Sequence, residues 1–261
     1  MFRVAITQTF TVFFRFSVGY LTLFSASLQA ENATTILYLQ PIPYYMESVD
    51  KGTYVNLVRR FSDENSLDFE VLMASSERIE KLLSRGNQPY CSLGFSVELA
   101  VAEGLPTEHL IESQSFNRIY TSIISRLESR VDSVHDLDQK NLVVFHGNYQ
   151  DAKDRIPEEI ETSIVTVFNI DSLIKIVKKG RAHAGFVTSP DIFMSPLYQQ
   201  LQSQLHLVDL PNSNRRESLV CIDSAKNRKL IQLFNKYIDK LRSAGELGDY
   251  IDYKPHLSLS N

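Results

Sequence analysis

Asn141-Leu142-Val143-Val144-Phe145-His146-Gly147-Asn148 is the stretch on which the fold turns. A strand with one wet face would alternate apolar and polar residues, so the unbroken run 142–145 reads as a strand buried on both faces. It breaks at His146-Gly147-Asn148, where a polar helix begins. Downstream, 164–168 is a further strand, 171–179 a helix with Leu173, Ile174 and Val177 inward, and 184–187 a strand. Asp171 stands where a cap is expected, and Lys175, Lys178 and Lys179 suit the negative end of that helix's dipole. Upstream the same grammar holds. Residues 36–39 form a short apolar strand closed by Pro41 and Pro43, 54–61 places Val55, Leu57, Val58 and Phe61 at helical spacing, and 67–73 alternates as a strand. A helix over 76–85 stops at Gly86, and a strand follows at 91–95. The chain closes with a strand at 219–222 and a helix whose apolar residues are Leu230, Ile231, Phe234, Ile238 and Leu241. Strands alternating with helices over this length imply mostly parallel sheets in two α/β lobes.

Composition agrees with a packed protein and excludes several classes. Of 261 residues, 43% are hydrophobic and 22% charged, too polar for a multispanning membrane protein and too apolar for disorder. The formal charge of −4 leaves no overall positive field, so nucleic acid and anionic lipid are not expected partners.

Residues 1–30 differ from the rest. They carry Arg3 and Arg15 and no acid, a largely apolar stretch at 16–24, and then Ser25-Ala26-Ser27-Leu28-Gln29-Ala30. This is the layout of a secretory signal cut after Ala30. A membrane anchor needs about 20 apolar residues, and Arg15 interrupts this segment. Loss of the two arginines takes the charge from −4 to −6 and leaves 231 residues in the periplasm. In that compartment Cys91 and Cys221 are read as a disulfide or as two buried thiols. Neither belongs to a cluster with metal-ligand spacing, and the six histidines are scattered, so no metal, cofactor or catalytic set is assigned.

Six segments then carry a family resemblance. Pro43-Tyr44-Tyr45 followed by Gly52-Thr53-Tyr54-Val55-Asn56-Leu57, the helix Arg78-Ile79-Glu80-Lys81-Leu82-Leu83-Ser84-Arg85-Gly86, and Ser133-Val134-His135-Asp136-Leu137 come first. Asn141 to Gly147, Lys179-Gly180-Arg181-Ala182-His183-Ala184-Gly185-Phe186, and the C-terminal helix running to Gly245 complete the set. In this order they resemble bacterial periplasmic solute-binding proteins of the polar amino-acid type. The resemblance implies an α/β, two-lobed periplasmic-binding-protein-like (type II) fold with two crossover strands. Lobe 1 is expected at 31–122 plus 218–261 and lobe 2 at 123–217, with ligand between them. It also implies a Cys91 to Cys221 bridge within lobe 1, a monomer, and a non-enzymatic role in which a small polar solute is passed to a membrane permease. The alternative is an accessory module that docks to a membrane sensor.

In that family an Arg after the third strand holds the ligand carboxylate, and an Asp after the Gly-Arg-x-Asp-Ala strand holds the amino group. Here Phe95-Ser96-Val97-Glu98-Leu99-Ala100 contains no Arg, Thr188 stands at the Asp position, and His183 replaces the Asp of the motif. Candidate binding residues are therefore Tyr44 and Tyr45, which cover a ligand or pack on the lobe surface, and Arg78, which faces the cleft or pairs with Glu77 or Glu80. Arg118 and Tyr120 before the first crossover, Asn148 and Tyr149 after Gly147, and Thr188 complete them. Arg118 is a shifted carboxylate contact or a solvated strand residue. N-terminal sequencing of protein taken from the periplasm is expected to begin near Glu31; intact Met1 in the membrane fraction would contradict the leader.

Overall fold

Two strand-helix-strand-helix-strand runs make up the framework, and a pair of long antiparallel strands joins them. The computed structural model describes residues 34–251 apart from 87, 103 and 190; the expected leader lies outside them. The described residues from Ile36 to Ile251 pack as one unit. The first run is β1 (Thr35–Leu39), α1 (Thr53–Asn65), β2 (Phe69–Met73), α2 (Ser76–Arg85) and β3 (Cys91–Phe95). After it come α3 (Val97–Ala102), β4 (Leu110–Glu112) and β5 (Asn117–Arg126). The second run is β6 (Lys140–Phe145), α4 (Tyr149–Arg155), β7 (Thr162–Val167), α5 (Ile170–Lys178) and β8 (Ala184–Ser189). Finally α6 (Pro196–Leu201), β9 (Leu205–Asp209), β10 (Arg215–Ile222) and α7 (Ala225–Ala244) complete the described chain.

Hydrogen bonding links the strands in the order β2-β1-β3-β10-β5-β8-β6-β7, with β4 on β10 and β9 on β5. β1 pairs in parallel with β3, and β6 in parallel with both β7 and β8, as the alternation of elements requires. β5 and β10 are antiparallel to their neighbours and each changes partner along its length. Residues 117–119 of β5 pair with 215–217 of β10; beyond them β5 pairs with β8 and β9, and β10 with β3 and β4.

The cores explain why these segments read so clearly. Leu142 and Val144 lie in one buried cluster with Leu137 and Phe186, whereas Val143 lies in another with Leu173, Ile174 and Val187. The strand is thus covered on both faces, which is what its continuous apolar run required. In the first run, α1 and α7 cover one face through Leu57, Phe61, Phe234 and Ile238, while Ile79 and Leu83 of α2 cover the other with Phe95 and Val220. α2 ends at Gly86 with φ 62°, a left-handed cap that glycine adopts without strain.

Several boundaries depart from the sequence expectation. Asn169, not Asp171, caps α5, accepting from the Ser172 N–H at 2.7 Å; the Asp171 side chain is turned to another partner. β7 ends at Val167, leaving Phe168 77% exposed and stacked at 4.9 Å on His146. β2 starts at Phe69, two residues later than the alternation suggested.

Cys91 and Cys221 are bonded. They are directly opposite in the β3–β10 register, with Cα atoms 4.0 Å apart, and both are fully buried among Leu37, Leu93 and Leu219. The bridge ties a strand from the start of the chain to one from its end, a separation of 130 residues. Closing a loop of that length removes denatured-state entropy worth about 4 to 5 kcal/mol. Serine at both positions is expected to lower the unfolding free energy by up to this amount in denaturant titrations, and thiol labelling of unfolded, unreduced wild type to find no free thiol.

Candidate functional site

The three-residue pairing of β5 with β10 places polar and charged side chains where the two runs of the chain meet. Side chains alternate along each strand, so Asn117 and Glu217, which are Cα partners, point to one face, and Arg118 and Arg216 to the other.

On the first face lies a buried polar group. Glu217 is 4% exposed; it accepts from the Tyr54 hydroxyl and from Asn117 Nδ2 at 2.7 Å, and the same Nδ2 donates to Tyr54 Oη at 2.6 Å. Asn117 Oδ1 is buried with no partner. Asp191, just beyond β8, is also buried and close enough to Glu217 to feel its charge. Burial pushes the Glu217 pKa up to about 7, against the Tyr54 and Asn117 hydrogen bonds, which favour the carboxylate. Burial, reinforced by the Glu217 charge, likewise raises Asp191 well above the ordinary carboxylate range.

A second network joins β10 to α4. Asp151 accepts from Arg155 Nε at 3.0 Å, from Thr121 Oγ1 at 2.9 Å and from Arg215, so one carboxylate binds its own helix, β5 and β10. Thr121 and Thr188 are Cα partners across β5 and β8, and Thr188 Oγ1 accepts from Asn148 Nδ2 at 2.7 Å.

The candidate residues separate on this geometry. Asn148 and Thr188 are in contact, with Tyr149 next to them, 39% exposed. Tyr120 is half-buried on β5, opposite Ser189. Arg118 is exposed and faces Arg216, which pairs at 3.2 Å with Glu98 in the first turn of α3. Arg78 is exposed on α2, near Tyr38. The two adjacent tyrosines part company. Tyr45 is 1% exposed in the core, its ring 4.7 Å from that of Tyr54. Tyr44 is half-buried, its ring packed on the cluster of Ile170, Ile174 and Tyr198, and burial together with the nearby Asp171 charge raises its pKa. Gly52 makes this turn feasible: its φ is 133°, and a Cβ there would overlap the Tyr45 carbonyl.

Sequence reading gave Asp171 only a capping role and did not single out Asp151, Asp191, Ser195, Arg215 or Glu217. One signal was present: Arg215-Arg216-Glu217, three charged residues leading into an apolar strand, is unusual unless the strand start lies against polar partners. Among the described residues no group of three or more His, Cys, Asp and Glu is arranged to hold a metal ion.

No family model and no curated protein sequence matches the chain. Solved structures do. The substrate-binding protein of an amino acid ABC transporter superposes with TM-score 0.55 at 15% identity, covering 84% of this chain and 97% of its own. The substrate-binding protein AbpA of an amino acid ABC transporter from Streptococcus pneumoniae, bound to L-arginine, gives 0.57 at 17% identity, covering 87% and 96%. The ancestral amino-acid-binding protein AncCDT-1, a precursor of cyclohexadienyl dehydratase, gives 0.58 at 16% identity, covering 87% and 97%.

Glu217 makes stability depend on pH with a definite sign. A folded-state pKa raised from 4.5 to about 7 stabilises fully below pH 4.5, and that stabilisation is lost as pH rises through 7. The loss is about 3 kcal/mol, and Asp191 acts in the same direction. In denaturant titrations between pH 4.5 and 8, Glu217→Gln is expected to reduce the wild-type slope by the Glu217 share and to leave that of Asp191. An identical slope in the variant would place the titration elsewhere. At such low identity the likeness concerns architecture: the chain has the two-lobed α/β fold of these substrate-binding proteins, with β5 and β10 as its crossover strands.

Proposed function

We propose that the protein is a periplasmic solute-binding protein that holds a small polar solute between lobe 1, residues 31–122 plus 218–261, and lobe 2, residues 123–217. The observation that carries this reading is the exchange of partners by β5 and β10, which leaves a three-residue antiparallel pairing as the join between the two sets of strands. Lobes joined in this way close by hinge rotation. The likeness to binding proteins of amino acid ABC transporters supports delivery to a membrane permease, and Tyr44, Tyr120, Asn148, Tyr149 and Thr188 supply a rim of aromatic and hydroxyl or amide groups suited to a polar solute. Tyr45 belongs to the supporting core, and Arg78 and Arg118 are left as exposed cations beside it.

A binding role fits the acids better than a catalytic one. A precursor of a dehydratase is among the similar structures, but here Asp191 and Glu217 are buried and Glu217 is engaged by Tyr54 and Asn117. One observation favours a second reading, docking to a membrane sensor with or without a solute. Contacts made by the protein's own side chains, the Tyr44 ring on the cluster of Ile170, Ile174 and Tyr198, and Thr121 to Asp151, already link the two proposed lobes.

The solute is not an ordinary α-amino acid. The segment 96–98 after β3 offers a serine, a valine and a glutamate, and that Glu98 is paired with Arg216. Thr188 is taken up by Asn148. A hydrogen bond to a charged group is worth about 1.5 to 3 kcal/mol, so the absence of both clamps costs about 3 to 6 kcal/mol. At about 1.4 kcal/mol per decade, micromolar affinity becomes millimolar or weaker. Calorimetry against the twenty amino acids is expected to find no micromolar binder, whereas a thermal-shift screen of neutral and singly anionic metabolites is expected to yield stabilising solutes. Micromolar affinity for any one free amino acid would overturn the assignment of the clamp.

A further inference from the structure

Tyr44 has an unusual backbone and an unusual destination. Its φ of 67° lies in the left-handed region, which a bulky aromatic residue adopts at a cost. The turn that imposes it is fastened at four points. Ile42 and Met46 exchange both backbone hydrogen bonds, at 3.0 and 2.9 Å, and the carbonyls of Tyr44 and Tyr45 accept from the N–H groups of Thr53 and Tyr54 at 3.1 and 3.0 Å. The loop is therefore a rigid extension of the start of α1. With Tyr45 buried below it among Tyr54 and its neighbours, the reversed backbone sends the Tyr44 side chain the other way.

What it reaches belongs to the second run of the chain. The Tyr44 ring packs against the cluster that contains Ile170, Ile174 and Tyr198. Asp171 and Ser195 are close enough to act on its hydroxyl. That receptor is itself well fixed. Ser195 is fully buried, donates to Asp171 Oδ1 at 2.6 Å and accepts from the Tyr198 N–H at 3.1 Å as the cap of α6. Asp171 sits in the first turn of α5, where the helix dipole favours its negative charge. Because Asn169 takes over the capping of α5, the Asp171 carboxylate is free to accept from the Ser195 hydroxyl, on the side near Tyr44.

We propose that Tyr44 is a latch between the two lobes: a strained, rigidly held side chain of lobe 1 that docks on the Asp171–Ser195 receptor of lobe 2 and sets how readily the cleft opens. This rests on the two-lobed binding reading above. A latch of this kind stabilises the closed arrangement without any contribution from solute. Solute affinity then depends on how the solute acts on the latch as well as on its own contacts with the cleft.

Tyr44→Phe removes only the hydroxyl, and Asp171→Asn removes the charge while keeping the size, so each variant is expected to fold. Hydrogen exchange is measured on the full mature protein in wild type and both variants. In each variant the amides of 42–46 and of 191–199 are expected to exchange about tenfold faster, the ratio set by one hydrogen bond to a charged group, while α7 is unchanged. Unaltered protection of both segments in both variants would overturn the latch. The thermal-shift screen on wild type separates this from the underlying reading. Faster exchange in the variants of a protein that binds no solute counts against the solute-binding role alone, and unaltered exchange in a protein that does bind one counts against the latch alone.

Discussion

Three residue pairs, 117–119 with 215–217, are the constraint on which the rest of the molecule depends. They are the stretch in which β5 and β10 bond to each other before each turns to a different set of strands. A fully extended three-residue segment spans about 10 Å, too short for a rigid sheet and long enough to fix the direction of both strands. Their side chains cannot be uniformly apolar, because one face meets α1 and the other is open to solvent. On the buried face Asn117 and Glu217 bond to each other and to Tyr54, whereas Arg118 and Arg216 stay exposed on the other.

The return of β10 to the first sheet is secured by different physics. Past Glu217 the strand is buried from Ser218 to Ile222, lies between β3 and β4, and is bonded to β3 through Cys91 and Cys221. Hydrophobic burial and a covalent bond make that half of the strand resistant to change, while hydrogen bonds and charges govern the other half. Glu217, whose pKa burial pushes up to about 7, lies in that polar half.

Much of the framework was legible in the sequence, and the reason is local. The run 142–145 and the spacing of Leu230, Ile231, Phe234, Ile238 and Leu241 each report a buried surface directly, and both segments take the expected form. The site was far less legible. Asp151 and Arg215 are 64 residues apart, and Asn117 and Glu217 are 100 apart, so no periodicity in a single sequence connects them. Tyr44 and Tyr45 are chemically alike and adjacent, and only the left-handed turn at Tyr44 decides which enters the core. Asp171 looked like a cap because its position relative to the apolar stripe is right; Asn169, one turn position earlier, took that role and freed the carboxylate for Ser195. β5 escaped a strand assignment since its sequence mixes Arg118, Tyr120, Thr121 and Ser122 with Ile123 and Ile124, as a strand that leaves one environment for another must.

The central claim is that the two sheets enclose a small polar solute. Native mass spectrometry of protein recovered from the periplasm in non-denaturing buffer tests it most directly. A discrete small-molecule mass carried on the folded protein, and lost when the protein is denatured, is the predicted result. Bare polypeptide mass alone, in a preparation that no solute in the metabolite screen stabilises, would contradict it.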